Sequence, residues 1–173
     1  MFTVIPSLYR CLAIALIVAA SLVPGHARAQ VPQPPEVAAR SYLLLDVTTN
    51  QVLAERQADA QADPASLTKL MTAWLVLDAI RAGKLTLEQT LPVSQRAWAE
   101  RKGGGSLMFI DTTMTPKVDE LLRGMIAVSG NDAAVALAEG VAGSLDAFVA
   151  LMNRQAQVWG LKNTQFRNVT GLT

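Results

Sequence analysis

Ser66-Leu67-Thr68-Lys69, set just after Asp63-Pro64 and at the head of an apolar run from Leu67 to Ile80, is the stretch on which the reading of this chain turns. Asp63 then Pro64 reads as a helix start, a cap followed by proline in the first turn, and Gly83 reads as the stop, so a helix is predicted to about Arg81. Residues three apart on a helix share a face. The Ser66 hydroxyl and the Lys69 amine then lie one turn from each other, where they can form a nucleophile and its base. With Asp63 as the cap, Ser66 falls near the third position, where backbone N–H groups lack helical partners and the dipole favours negative charge. Those groups suit a developing oxyanion. Lys69 must be neutral to take a proton, and the neighbouring Leu70, Met71 and Trp74 are compatible with the burial that lowers an amine pKa. The same four residues also fit a plain helix start with an exposed lysine, and the motif alone favours that plainer reading.

The N-terminus removes most rival chemistries. Arg10, the apolar run Cys11 to Val23, the Pro24-Gly25 break and the small-x-small site Ala27-Arg28-Ala29 form a secretory signal pattern, so residues 1–29 are expected to be cleaved and the mature chain to start at Gln30. The run is short for a membrane span. An exported destination follows, the periplasm or cell envelope. The single cysteine, Cys11, and the single histidine, His26, leave with this segment. Disulfides, Ser-His-Asp and Cys-His catalysis, and histidine-bearing zinc sites are then excluded. Removing Arg10 and Arg28 from the 15 basic residues leaves 13 against 14 acidic ones, a net charge of −1 that gives no reason to expect nucleic acid. No metal site is predicted.

Beyond the signal, residues 30–40 carry Pro32, Pro34 and Pro35 and read as an extended lead-in. Ser41 to Val47 looks like a mostly buried strand, Thr48-Thr49-Asn50 like a turn, and Gln51 to Glu55 like a returning strand. Pro92 to Glu100 reads as a short strand and then a helical turn or two. Lys102-Gly103-Gly104-Gly105-Ser106 reads as a flexible loop; no Gly-Lys-Ser/Thr follows, so it is not a phosphate loop. A helix is expected from Thr115-Pro116, with Val118, Leu121, Leu122, Met125 and Ile126 on its buried side. Ser129-Gly130-Asn131 interrupts it. An alanine-rich helix from about Asp132 to Glu139 follows, then one capped by Gly143-Ser144 with Leu145, Phe148, Val149 and Met152 inward, ended by Gly160. The tail from Leu161 is polar and turn-rich.

Ser129-Gly130-Asn131 gives the first motif a companion. Ser129 can relay a proton, and Asn131 can bond a substrate amide with both donor and acceptor. Asn131 or its neighbour could equally cap the next helix. These residues, with their flanks, carry a resemblance. Asp63 to Thr72, Gly105-Ser106-Leu107-Met108-Phe109, Leu122-Arg123-Gly124-Met125, Val128 to Ala134, Leu161-Lys162-Asn163-Thr164 and Asn168-Val169-Thr170-Gly171-Leu172 resemble the N-terminal part of the D-alanyl-D-alanine carboxypeptidases, the low-molecular-mass penicillin-binding proteins of serine peptidase family S11. The resemblance covers nearly all of Ser41 to Thr173.

The resemblance implies an α/β penicillin-binding/serine β-lactamase-like transpeptidase fold, a helical subdomain plus an antiparallel sheet, with residues 41–173 as part of the catalytic domain. It implies Ser66 as the nucleophile, Lys69 as the general base, Ser129 in proton transfer and Asn131 in substrate binding. The implied reaction removes the terminal D-alanine from peptidoglycan pentapeptide stems, β-lactams would acylate the same serine, and no cofactor is implied. The family's third element, Lys-Thr/Ser-Gly, does not occur after Asn131. The sequence as given is therefore expected to stop before the later sheet strands, to leave its first strands without neighbours, and to be unstable with little activity. Such a chain gives no reading of membrane association. A D-Ala endopeptidase and a class A β-lactamase-like hydrolase stand as alternatives, the latter disfavoured by Gly130 where such enzymes usually carry Asp. An inactive peptidoglycan-binding remnant is the non-enzymatic alternative.

Overall fold

The computed structural model describes residues 35–172, so the expected signal segment, with Cys11 and His26, lies outside the described residues. The chain divides into two units, one ending at Ala60 and one beginning at Gln61.

The first unit is a hairpin. Strand β1 (Tyr42–Asp46) pairs antiparallel with β2 (Gln51–Arg56), in a register from Tyr42 opposite Arg56 to Asp46 opposite Gln51, with an irregularity between Leu44 and Leu45. The turn is built by Asp46, whose carboxylate accepts from the Thr48 N–H (2.8 Å) and the Thr49 hydroxyl (2.7 Å), and it closes through Asn50 at φ 56°. Asparagine tolerates that left-handed conformation better than most residues. The strand expected to be mostly buried is not: Leu43 and Leu44 are 54% and 55% exposed. A two-stranded ribbon has no further layer of its own to bury both faces.

The second unit is helical. Helix α1 (Thr68–Arg81) turns Met71, Thr72, Leu75, Val76 and Ala79 inward, at the three- and four-residue spacing of one face. It ends as expected at Gly83 (φ 71°): the Gly83 N–H bonds the Ile80 carbonyl and the Lys84 N–H bonds the Ala79 carbonyl, a Schellman closure. The strand expected from Pro92 is instead a brief antiparallel bridge two residues earlier. Thr90 pairs with Lys117, flanked by bonds from the Leu91 N–H to the Pro116 carbonyl and from the Val118 N–H to the Gln89 carbonyl. Pro92 has no N–H with which to extend that ladder. Ser94 then caps α2 (Gln95–Ala99) by accepting from the Ala97 N–H, and a 3₁₀ turn, Glu100–Lys102, follows. Because Pro116 and Lys117 serve the bridge, α3 starts later than expected, at Val118, and runs to Ala127; Glu120 reaches back to the Lys117 N–H.

Helix α4 (Asn131–Ala142) is the centre of the unit. Ala133 to Ala138 are no more than 1% exposed, and α1, α2, α3 and α5 (Leu145–Val158) all pack on it. Alanine gives close approach on every side without loss of helix propensity. Phe148 and Met152 of α5 and Leu121 and Met125 of α3 fill the space around it, each fully buried and each contributing about 2 kcal/mol on transfer from water. Ile126, expected inward, is 58% exposed.

At the start of α4, Asp132 is 2% exposed, and its carboxylate accepts from the N–H groups of Met108 (2.8 Å), Ile110 (3.1 Å) and Ala133 (2.9 Å). It ties the 106–110 segment to α4, aided by the Asn131 N–H on the Ser106 carbonyl (2.9 Å). Replacing Asp132 with alanine strands two loop N–H groups, so Asp132→Ala should lower stability by about 3 kcal/mol. Asp132→Asn, which keeps one acceptor, should cost less. Urea unfolding followed by circular dichroism reads both, and an unmoved midpoint for Asp132→Ala would refute the tie.

Candidate active site

Ser66 does not sit third in a helix capped by Asp63. It occupies a 3₁₀ turn, Ala65–Leu67, entered through Pro64, with no side chain capping it. The Leu67 N–H closes on the Pro64 carbonyl (3.0 Å), and α1 begins one residue later. The proline ring presets the entry. The Asp63 carboxylate therefore does not compete for the first-turn N–H groups. Ala65 is held at φ 46°, a conformation that costs a non-glycine residue about 1 kcal/mol or more.

The three residues expected to act together do meet. Ser66 is exposed, and its Oγ lies 3.3 Å from Lys69 Nζ and 3.0 Å from Ser129 Oγ. Ser129 stands between α3 and α4 at φ 58°, the break that turns its side chain toward α1. The hydroxyls line a cleft of about 410 Å³ with Lys69, Leu67, Leu70 and Ile126, which accounts for the exposure of Ile126. Asn131, 2% exposed, opens α4; Gly130 precedes it as the cap residue without side-chain help. Its side chain does not cap the helix: the Asn131 Oδ1 is buried without a hydrogen-bond partner. Gly105 lies against this amide, and a methyl there would overlap Asn131 Nδ2. The glycine loop is thus a close-packing surface for Asn131.

Lys69 is only 3% exposed. Burial holds its amine below the ordinary lysine value of 10.5, opposed in part by the charge of Glu100. Its Nζ also donates to the Thr170 carbonyl (3.1 Å), and one turn on, Thr72 Oγ1 donates to the Val169 carbonyl (2.9 Å). These partners come from the tail read as polar coil. Val169 and Thr170 are 2% and 5% exposed. Asn168 Oδ1 accepts from the Thr170 and Gly171 N–H groups and folds the segment into a turn. Gly171, at φ 81°, lies so close to the Ala65 carbonyl that a Cβ would overlap it. The Asn-x-x-Gly pattern was a readable turn signal; that its carbonyls face α1 was not.

A helical unit carrying a paired serine and buried lysine, together with an antiparallel hairpin, is a chain of the penicillin-binding/transpeptidase fold. Residues 28–173 match the D-alanyl-D-alanine carboxypeptidase family, peptidase S11, and the chain belongs to that family. It is 45% identical over 148 residues to D-alanyl-D-alanine carboxypeptidase DacA of Escherichia coli K12, covering 84% of this chain and 37% of that protein. It is 36% identical to a D-alanyl-D-alanine endopeptidase of Pseudomonas aeruginosa, covering 96% of this chain and 51% of that one. Penicillin binding protein 5 from Haemophilus influenzae superposes with a TM-score of 0.77 at 40% identity, over 82% of this chain and 41% of that one. The chain spans little more than a third of the length of the curated carboxypeptidases it matches.

The contact of Gly171 with Ala65 ties the tail to the turn that carries Ser66. Gly171→Ala combines an unfavourable φ with a backbone overlap, so it should destabilise by more than about 1 kcal/mol. A thermal melt of this variant unchanged from the parent would contradict the contact.

Proposed function

We propose that this chain is the acylating part of a serine-type D-Ala-D-Ala carboxypeptidase, with Ser66 the nucleophile, Lys69 the general base, Ser129 the proton relay and Asn131 a substrate-amide ligand. The observation that carries the reading is the Lys69 Nζ–Ser66 Oγ–Ser129 Oγ chain, at 3.3 and 3.0 Å, with the amine buried. Neutral Lys69 takes the Ser66 proton as Oγ attacks the carbonyl carbon of the penultimate D-alanine of a peptidoglycan stem. The new C–O bond replaces the C–N bond to the terminal D-alanine, and the proton passes through Ser129 to the leaving nitrogen. Water, deprotonated by Lys69, then opens the ester, and the proton returns to Ser66 Oγ. No cofactor enters. A β-lactam carbonyl presents the same electrophile and would be held as the stable ester. The relationship to a Pseudomonas endopeptidase supports a second substrate geometry for the same chemistry, a cross-link in place of a free terminus.

Covalent labelling by a fluorescent penicillin tests this directly. The parent should label, Ser66→Ala should not, and Lys69→Met should acylate at least about 100-fold more slowly. The lowered Lys69 pKa fixes the sign of the pH dependence. The neutral fraction grows as pH rises through the folded pKa, so the acylation rate should climb with pH and level off below the ordinary 10.5. Labelling that survives in Ser66→Ala would overturn the assignment, and folded protein that never labels would favour the inactive remnant.

We also propose export to the periplasm or cell envelope with loss of residues 1–29, supported by the charged flank, apolar run and Ala27-Arg28-Ala29 site. Intact-mass measurement on exported protein should find Gln30 at the N-terminus; residues 1–29 still attached would contradict it.

A further inference from the structure

We propose that Asn153, on α5 and outside the cleft, is a positioning residue for Lys69, acting through the 166–171 segment. The inference rests on the reading of Lys69 as the base. Asn153 grips Phe166 from both sides: its Oδ1 accepts from the Phe166 N–H (2.8 Å), and its Nδ2 donates to the Phe166 carbonyl (2.9 Å) as well as to the Val149 carbonyl of its own helix (3.1 Å). An amide is the side chain that can satisfy a backbone donor and acceptor together. Three and four residues after this grip, the Val169 carbonyl receives Thr72 and the Thr170 carbonyl receives Lys69. Asn168 closes the turn between them, bonding the N–H groups of Thr170 and Gly171 and the Leu172 carbonyl. The strap is thus fixed at one end to α5 and laid along α1 at the other.

Lysine has four rotatable side-chain bonds, and its point-charge head does not orient itself. Among the described residues, Lys69 Nζ has two hydrogen-bond partners, the Ser66 hydroxyl and the Thr170 carbonyl. The serine is the atom to be activated, so the carbonyl is the fixed point that directs the amine toward it. A carbonyl accepts from an amine in either protonation state, which leaves the neutral nitrogen's lone pair free for the Ser66 proton. Releasing the strap at Phe166 removes that fixed point without touching the cleft. An ångström of misplacement at a reacting group is enough to cost a large factor in rate.

The test separates binding from chemistry. Acylation by a fluorescent penicillin, followed over a range of penicillin concentrations and normalised to the sites finally labelled, gives a dissociation constant and a first-order acylation constant. Asn153→Ala should lower the acylation constant at least about tenfold and leave the dissociation constant unchanged. An unchanged acylation constant with fewer labelled sites would mean a purely structural role and overturn the proposal, as would a loss confined to binding. Should Asn153→Ala fail to fold, Thr72→Val decides the matter: it removes the other bond of the strap with little change of shape, and the same split is expected. A second readout does not depend on Ser66 chemistry. Acetic anhydride should acetylate Lys69 slowly in the parent and at least tenfold faster in either variant, relative to exposed Lys84. Equal protection of Lys69 in parent and variants would refute the positioning role. If the parent never labels at Ser66 yet Lys69 loses protection in the variants, the catalytic reading fails and the strap stands.

Discussion

The buried Lys69 amine is the constraint from which the rest of this site follows. Desolvation penalises its charged form, and a lysine in such a place must either find an anion or become easier to deprotonate. Among the described residues no carboxylate is hydrogen-bonded to it; its partners there are a hydroxyl and a carbonyl, both neutral. Glu100 acts only through its field, and against the dominant shift. An ion pair would have stabilised the protonated lysine and opposed its proposed use as a base. Burial with neutral partners keeps the amine available while still satisfying its hydrogen bonds.

That arrangement demands backbone conformations that ordinary residues resist. Ala65, Phe109 and Ser129 all have positive φ, at 46°, 63° and 58°, and none is a glycine. Ala65 directly precedes Ser66, Ser129 supplies the second hydroxyl, and Phe109 lies between the two N–H groups held by Asp132. Each such conformation costs roughly 1–3 kcal/mol and persists only where its surroundings over-determine it. The surroundings are identifiable: Gly171 against the Ala65 carbonyl, the Asp132 carboxylate on the 108–110 backbone, and the close-packed α4 whose first turn Ser129 precedes.

How much of this was legible in the sequence depends on whether the signal was local. The hairpin turn, the Gly83 stop, the Ser144 cap and the inward stripe of α5 are written in neighbouring residues and were readable from them. The pairing of Ser66 with Lys69 is local too, and Ser129 was reachable as its partner through its motif. Non-local competition decided the rest. The helix expected from Thr115 gave its first residues to a bridge with Thr90, and the strand expected from Pro92 ended before it began. Ile126 has the period of a core residue but faces the cleft. Asp132 was read only as the start of the alanine-rich helix, and only the folded loop shows it serving Met108 and Ile110. The grip of Asn153 on Phe166 has no signature in sequence beyond two residues 13 positions apart.

The tail shows why motif reading picked out the proposed reacting groups and missed what holds them. A nucleophile and its base need particular side chains, so their identities are conspicuous. Lys69 and Thr72 are instead served by backbone carbonyls of Thr170 and Val169, which any residue supplies. What the sequence must specify is the path that brings those carbonyls to α1. Asn168 sets the turn, Gly171 permits the close pass at Ala65, and Asn153 fixes the incoming strand of chain. Each is a common residue performing a geometric task, and the chemistry proposed for Ser66 would depend on them because the amine beside it has no other fixed partner among the described residues.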